Sequence, residues 1–216
     1  MSTLLIGNKN YSSWSLRPWL FLRKANFKFD EQMVFLDEGN YQQQIAALSP
    51  SGRVPLLIEG SVKIWDSLAI CEYGAEVTAR GLPAGRSTRA RARSVAAEMH
   101  SGFQSLRSEY PMNVRARDRQ VPQTPELLAD IARIDEIWSS CRFDHSAGGD
   151  WLFGEFSIAD AMFAPVAFRF QTYGAALSAP SQAYLRHVLE DTDVRHWQYA
   201  ASNEGHPLPR VDRLGA

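Results

Sequence analysis

The chain has 216 residues, of which 45% are hydrophobic and 22% charged, and its formal net charge is −1. That length and balance suit a globular protein of one large or two small domains, with a core that needs neither disulfides nor metal. The near-neutral charge speaks against a nucleic-acid partner, two cysteines without a Cys/His cluster speak against zinc, and the absence of an eighteen-residue apolar run speaks against a membrane span.

Residues 3–7 read as a short apolar strand. A helical pattern carrying Trp14, Trp19, Leu20 and Leu22 follows and ends near Lys24. Residues 27–36 alternate as a second strand, with Phe27, Phe29, Glu31, Met33 and Phe35 on one face. Residues 41–48 make a short helix, stopped by Ser49-Pro50-Ser51-Gly52. Residues 56–59 and 62–65 flank Gly60-Ser61 as a hairpin, and a helix spans about 67–80. The order β-α-β-α-β-β-α is the thioredoxin-like arrangement, predicted here for residues 1–81.

The Gly81-Leu82-Pro83-Ala84-Gly85 segment marks a domain boundary. Beyond it, residues 86–216 show no convincing strand, and helical patterns cover 87–109, 125–141, 158–173, 181–189 and 194–200. The expectation is an all-helical bundle, with 203–216 extended over its surface. The arginines of 86–93 alternate with small residues at a helix start and read as a solvated face. The opening MSTLLIGNKN lacks the pattern of a signal peptide, and two scattered thiols suit a reducing compartment, so the expected location is the cytoplasm.

Four turns carry chemistry. Asn10-Tyr11-Ser12-Ser13-Trp14-Ser15-Leu16-Arg17-Pro18 joins the first strand to the first helix, where unpaired N–H groups and a partial positive charge favour an anion. Serines stand where a thioredoxin-like redox protein carries cysteines, so disulfide exchange is excluded, but a hydroxyl there can donate to a bound thiolate. Lowering a thiol pKa from about 8.5 by two units takes roughly 2.7 kcal/mol, the order of one charge-assisted hydrogen bond plus a helix terminus. The competing reading is that these serines only cap the helix. Ser49-Pro50-Ser51-Gly52-Arg53-Val54-Pro55-Leu56-Leu57 enters a strand through proline; a cis Val54-Pro55 bond would turn the Val54 N–H and C=O outward to pair with a short peptide. Trp65-Asp66-Ser67-Leu68-Ala69-Ile70 is a second strand-to-helix turn, where Ser67 can hold a carboxylate and Asp66 an ammonium, or both can serve as caps. Phe156-Ser157-Ile158-Ala159-Asp160-Ala161 has capping-box spacing and reads as structural.

In this order and at these separations, the four features resemble the cytosolic glutathione transferase superfamily over the whole chain. SPSGRVPLL is similar to its N-P-x-G-x-V-P-x-L, with Ser49 for Asn; WDSLAI to its Glu/Gln-Ser motif; FSIADA to its helix-capping box. YSSWSLR looks most like the serine-type classes, and its SS-x-x-x-R spacing is similar to the zeta class. The resemblance implies a glutathione transferase that attacks a small, hydrophobic electrophile with the glutathione thiolate. A glutathione-dependent isomerase of the maleylacetoacetate type and a non-catalytic protein-binding scaffold are the alternatives. It implies Ser12 as the thiol-activating residue, with Ser13 in its place under theta-like spacing, and Arg17 as the helix arginine. For glutathione it implies Gln43, Arg53, Val54, Pro55, Asp66 and Ser67, and for the second substrate His100 and Phe103. His100 itself reads more readily as structural than as a proton carrier. No metal and a homodimer complete the expectation. Trp14 in place of the zeta cysteine and Asp66 in place of Glu or Gln depart from the pattern and count against a zeta assignment.

Overall fold

The computed structural model describes residues 2–36 and 39–216. β1 (Ser2–Gly7) is the second strand of a four-stranded sheet of order β2-β1-β3-β4. It runs parallel to β2 (Phe29–Val34), with Ser2 opposite Phe29, and antiparallel to β3 (Leu56–Glu59), with Leu5 opposite Leu56. β4 (Val62–Trp65) closes the hairpin at the edge. The positions follow from the sequence. The run Leu4-Leu5-Ile6 is buried on both faces, as an interior strand requires, whereas β4 carries exposed Lys63 and Trp65 at its free edge. α1 (Ser13–Lys24), α2 (Tyr41–Leu48) and α3 (Ser67–Thr78) complete the predicted thioredoxin-like order.

The helical region holds α4 (Arg86–Ser101), α5 (Gln104–Glu109), α6 (Pro125–His145), α7 (Ile158–Tyr173), α8 (Ala179–Glu190), α9 (Thr192–Ser202) and a short α10 (Pro209–Asp212). α7 is buried along almost its whole length and packs on both α1 and α4, so it joins the two halves of the molecule. Its start is the expected capping box. The Asp160 carboxylate accepts from the Ser157 N–H (2.8 Å) and hydroxyl (2.9 Å), and from the Leu152 N–H and Tyr184 hydroxyl, both at 2.9 Å.

Two expectations are corrected. The helix predicted over 87–109 is broken at Gly102-Phe103, where Phe103 takes a left-handed backbone (φ 62°). Arg107 makes the break tolerable, because its guanidinium donates to the freed carbonyls of Met99, His100 and Gly102 at the end of α4. The segment 203–216 is not simply extended, for α10 folds it back onto the loop after β1. The basic run at the start of α4 is partly paired, Arg91 with Asp144 and Arg93 with Glu72.

Candidate functional site

A cleft of about 400 Å³ opens where three of the four turns meet. Trp14, Ser51, Arg53, Val54, Pro55, Trp65, Asp66, Ser67 and His100 line it. Gly52 (φ 64°) supplies the left-handed residue of the turn before it, and the Ser49 hydroxyl donates to the Arg53 carbonyl at 2.8 Å, tying the loop into one shape. The Val54-Pro55 bond is cis.

Asp66 is the N-cap of α3. Its Oδ1 accepts from the N–H groups of Leu68 (2.9 Å) and Ala69 (3.2 Å), while Oδ2 lies 3.2 Å from His100 Nε2. Partial burial pushes this carboxyl up, but the hydrogen bond from His100 and those from Ala69 and Leu68 outweigh it and hold the pKa below the ordinary carboxylate value. Asp66 therefore presents a negative charge to the cleft at neutral pH. Ser67, beside it, is 1% exposed, and its hydroxyl has no hydrogen-bond partner although the residue lines the cleft. A buried hydroxyl left unpaired at the start of a helix is an open position for an anionic or hydrogen-bonding ligand.

Trp14 forms the wall nearest α1, with His100 edge-on at 5.5 Å between ring centroids. Behind Trp14 the structure is strongly basic. The Arg17 and Arg107 guanidiniums lie 4.3 and 5.0 Å from the indole centroid. Arg169, from α7, donates to the carbonyls of Arg107 and Tyr110 and to the Ser13 hydroxyl (3.1 Å). None of the three arginines forms an ion pair among the described residues. Burial and the repulsion of Arg107 and Arg169 pull the Arg17 pKa well down; burial, then Arg107, bring Arg169 to about 9. The Nε and Nη1 of Arg17 lack partners.

The serine turn is not a simple cap. Ser12 occupies the N-cap position of α1 without its side chain capping the helix. Its hydroxyl instead meets that of Ser15 at 2.7 Å, and Ser15 Oγ also accepts the Gly7 N–H at 3.1 Å. With one lone pair of Ser15 taken by Gly7, the Ser15 proton is free to point at Ser12, which leaves the Ser12 proton available to a third group. Ser13 faces the other way, onto Arg169.

Arg53, Val54, Pro55, Asp66, Ser67 and His100 thus line one cleft. Ser12, Ser13 and Arg17 are buried and do not line it, and Arg17 lies against the Trp14 ring. Gln43 is exposed on α2 and does not line the cleft, and Phe103 is buried in the core, turned inward by the break after α4.

Residues 11–77 match the glutathione S-transferase N-terminal domain family. Rat maleylacetoacetate isomerase is 26% identical over 182 residues, covering 82% of each chain. Solved structures share the fold. A glutathione transferase homolog from Burkholderia, with bound glutathione, superposes with a TM-score of 0.68 at 23% identity, covering 94% of this chain and 99% of that one. Glutathione transferase Omega 2S from Trametes versicolor gives 0.71 at 18% identity, covering 98% of each. The family match thus covers the first part of the chain, and the whole chain shares the fold of solved glutathione transferases. The groups that the sequence motifs did not reveal are Trp14 as cleft wall, the His100–Asp66 contact, and Arg107 and Arg169 near Trp14 and Ser13. Only Arg17 of the basic cluster lay inside a recognised motif. Arg169 had one faint signal, a charged residue in the middle of an otherwise apolar helix.

Proposed function

We propose that this chain is a glutathione transferase: it binds glutathione in the cleft, holds its thiol as thiolate, and adds it to a small electrophile. The observation that carries the proposal is the unpartnered Ser67 hydroxyl beside the ionised Asp66, in a cleft shared with Val54. Asp66 suits the ammonium and Ser67 a carboxylate of the γ-glutamyl end, while the Val54 backbone pairs with the peptide as an added strand would. Glutathione laid this way directs its sulfur toward the N-terminus of α1, where Ser12 donates a hydrogen bond and the arginine cluster adds positive potential. The bond between sulfur and the electrophilic carbon forms as the leaving group, or the electron pair of an activated double bond, departs. Turnover of a panel of aryl halides, epoxides and activated alkenes with glutathione tests this; saturable, glutathione-dependent turnover of at least one supports it, and none above the uncatalysed rate overturns it.

The rat isomerase relative supports a second reading, in which transient addition of the thiolate allows a double bond to rotate and glutathione is then expelled unchanged. Loss of the cis signal without consumption of glutathione, on a maleyl-type substrate, distinguishes it. A non-catalytic scaffold would have no use for an unpaired Ser67 hydroxyl or a doubly supported Ser12. The buried thiols of Cys71 and Cys141 support a reducing, cytoplasmic setting. A homodimer is the expected assembly, supported by exposed Val62, Trp65 and Val77 on β4 and α3; a sedimentation run at micromolar concentration giving only a 24.3 kDa species would count against it.

A further inference from the structure

The segment after α9 is fastened to the turn before Ser12 at the Lys9 and Asn10 N–H groups and the Tyr11 hydroxyl. The Glu204 carboxylate accepts from the backbone N–H groups of both Lys9 and Asn10. The Tyr11 hydroxyl donates to the Asp212 carboxylate (2.8–2.9 Å) and accepts from the Leu208 N–H (3.0 Å) and Arg115 Nη2 (2.8 Å). Arg115 Nη1 also donates to the Glu204 carbonyl (2.7 Å), and Asn113 Nδ2 to Asp212 (2.9 Å). From the other side, Asn10 exchanges bonds with Val114, Arg115 and Asn113, and Trp197 Nε1 donates to the Lys9 carbonyl at 2.8 Å. Lys9 and Asn10 are 5% and 0% exposed.

Residues 9–11 lead directly into Ser12. A loop is ordinarily the least fixed part of a fold, yet this one is held by two carboxylates and a guanidinium from segments about a hundred to two hundred residues away in sequence. Glu204 is placed where only an acceptor works, since it faces two N–H donors at once. Tyr11 is the hub, with its single hydroxyl serving three partners from two segments of the helical domain. None of these side chains lines the cleft.

We infer that the segment from Glu204 to Asp212 is a strap whose Glu204 and Asp212, through the backbone of Lys9 and Asn10 and the Tyr11 hydroxyl, set the position of the Ser12 hydroxyl against the bound thiol. They are positioning residues that tune thiol ionisation without touching glutathione. The inference rests on the reading of Ser12 as thiolate donor. A small error in where that hydroxyl points weakens the charge-assisted bond, while the Val54, Asp66 and Ser67 contacts are untouched.

The test is the ultraviolet absorbance of bound glutathione thiolate against pH, in the full-length parent and in Glu204→Gln, Tyr11→Phe, Ser12→Ala and Ser157→Ala. Gln keeps the size of Glu204 but turns an amide N–H₂ toward one of the two donors; Ser157→Ala destabilises a distant helix start as a control. The strap variants should raise the thiol pKa by about half a unit or more, roughly a threefold loss of thiolate below it. The apparent glutathione affinity should change less than about twofold, and Ser157→Ala should leave the pKa in place. If Ser12→Ala shifts the pKa and both strap variants do not, the strap inference is wrong and the Ser12 reading stands. If the strap variants shift it and Ser12→Ala does not, the inference is overturned as well, because the strap then does not act through the Ser12 hydroxyl. Amide exchange of residues 11–15 without glutathione gives a second readout: it should quicken about tenfold in the strap variants with α6 unchanged, and unchanged exchange also overturns the strap.

Discussion

Removing the Ser12 hydroxyl and removing its neighbour at Ser13 should damage different properties. Ser15 takes the Gly7 N–H and pairs with Ser12, and when Ser15 is the donor of that pair the Ser12 proton is left for the thiol. A hydrogen bond to a charged acceptor is worth about 1.5–3 kcal/mol. Ser12→Ala should therefore raise the pKa of bound glutathione by roughly one to two units and lower kcat/KM at neutral pH by about ten- to a hundredfold. Glutathione affinity, proposed to rest on Val54, Asp66 and Ser67, should change much less. Ser13→Ala leaves a guanidinium N–H of the buried Arg169 without its partner. That costs about 1–3 kcal/mol of stability, and a chain of this length loses roughly 2–4 °C of Tm per kcal/mol. Its pH–rate profile should stay where it was. The assay is kcat/KM against pH for both variants and the parent, beside thermal melts. A profile shifted by Ser13→Ala and untouched by Ser12→Ala would refute the assignment; a profile moved by neither would remove the serine turn from thiol activation.

Ser67→Ala should weaken glutathione binding about tenfold in a calorimetric titration while leaving Tm unchanged, because its hydroxyl serves nothing in the free protein. Asp66 ionises below the ordinary carboxylate value, so its share of stability is present at neutral pH and is lost as the pH falls through that lowered pKa. Melts of Asp66→Asn and the parent should therefore differ at neutral pH, and the difference should shrink as the pH falls below the ordinary carboxylate range. Asp160→Ala strands the Leu152 and Ser157 N–H groups and the Tyr184 hydroxyl in the core, and urea unfolding should show a loss of about 3 kcal/mol or more.

The first domain was legible because its signals are local. Alternating apolar runs, Gly60-Ser61 between two short strands, and Ser-Pro-Ser-Gly before Val-Pro each fix a few neighbouring residues, and they place Val54, Asp66 and Ser67 within one cleft. The break at Gly102-Phe103 was not legible, since its left-handed phenylalanine is tolerated only through Arg107, five residues beyond Gly102. Tertiary pairing also hid the arginine cluster and the strap. Nothing near Arg169 or Glu204 in sequence signals that one meets Ser13 and the other the amides of Lys9 and Asn10. The capping reading of the serines was open for the same reason: the Ser12–Ser15 pair that decides against it depends on the Gly7 N–H at the end of β1.

Clefts of similar volume occur elsewhere; one of about 410 Å³ lies among Gly81, Leu82, Pro83, Phe153 and Phe156. Volume therefore does not distinguish the two clefts, and the proposed placement of glutathione rests on Ser67, Asp66 and Val54. A map of amide chemical shifts during titration with glutathione tests that placement most directly. The account predicts that the largest shifts fall on Val54, Ser67 and the Ser12–Trp14 turn, with little change around Gly81 and Phe156. Shifts centred on Gly81 and Phe156, or none at millimolar glutathione, would contradict it.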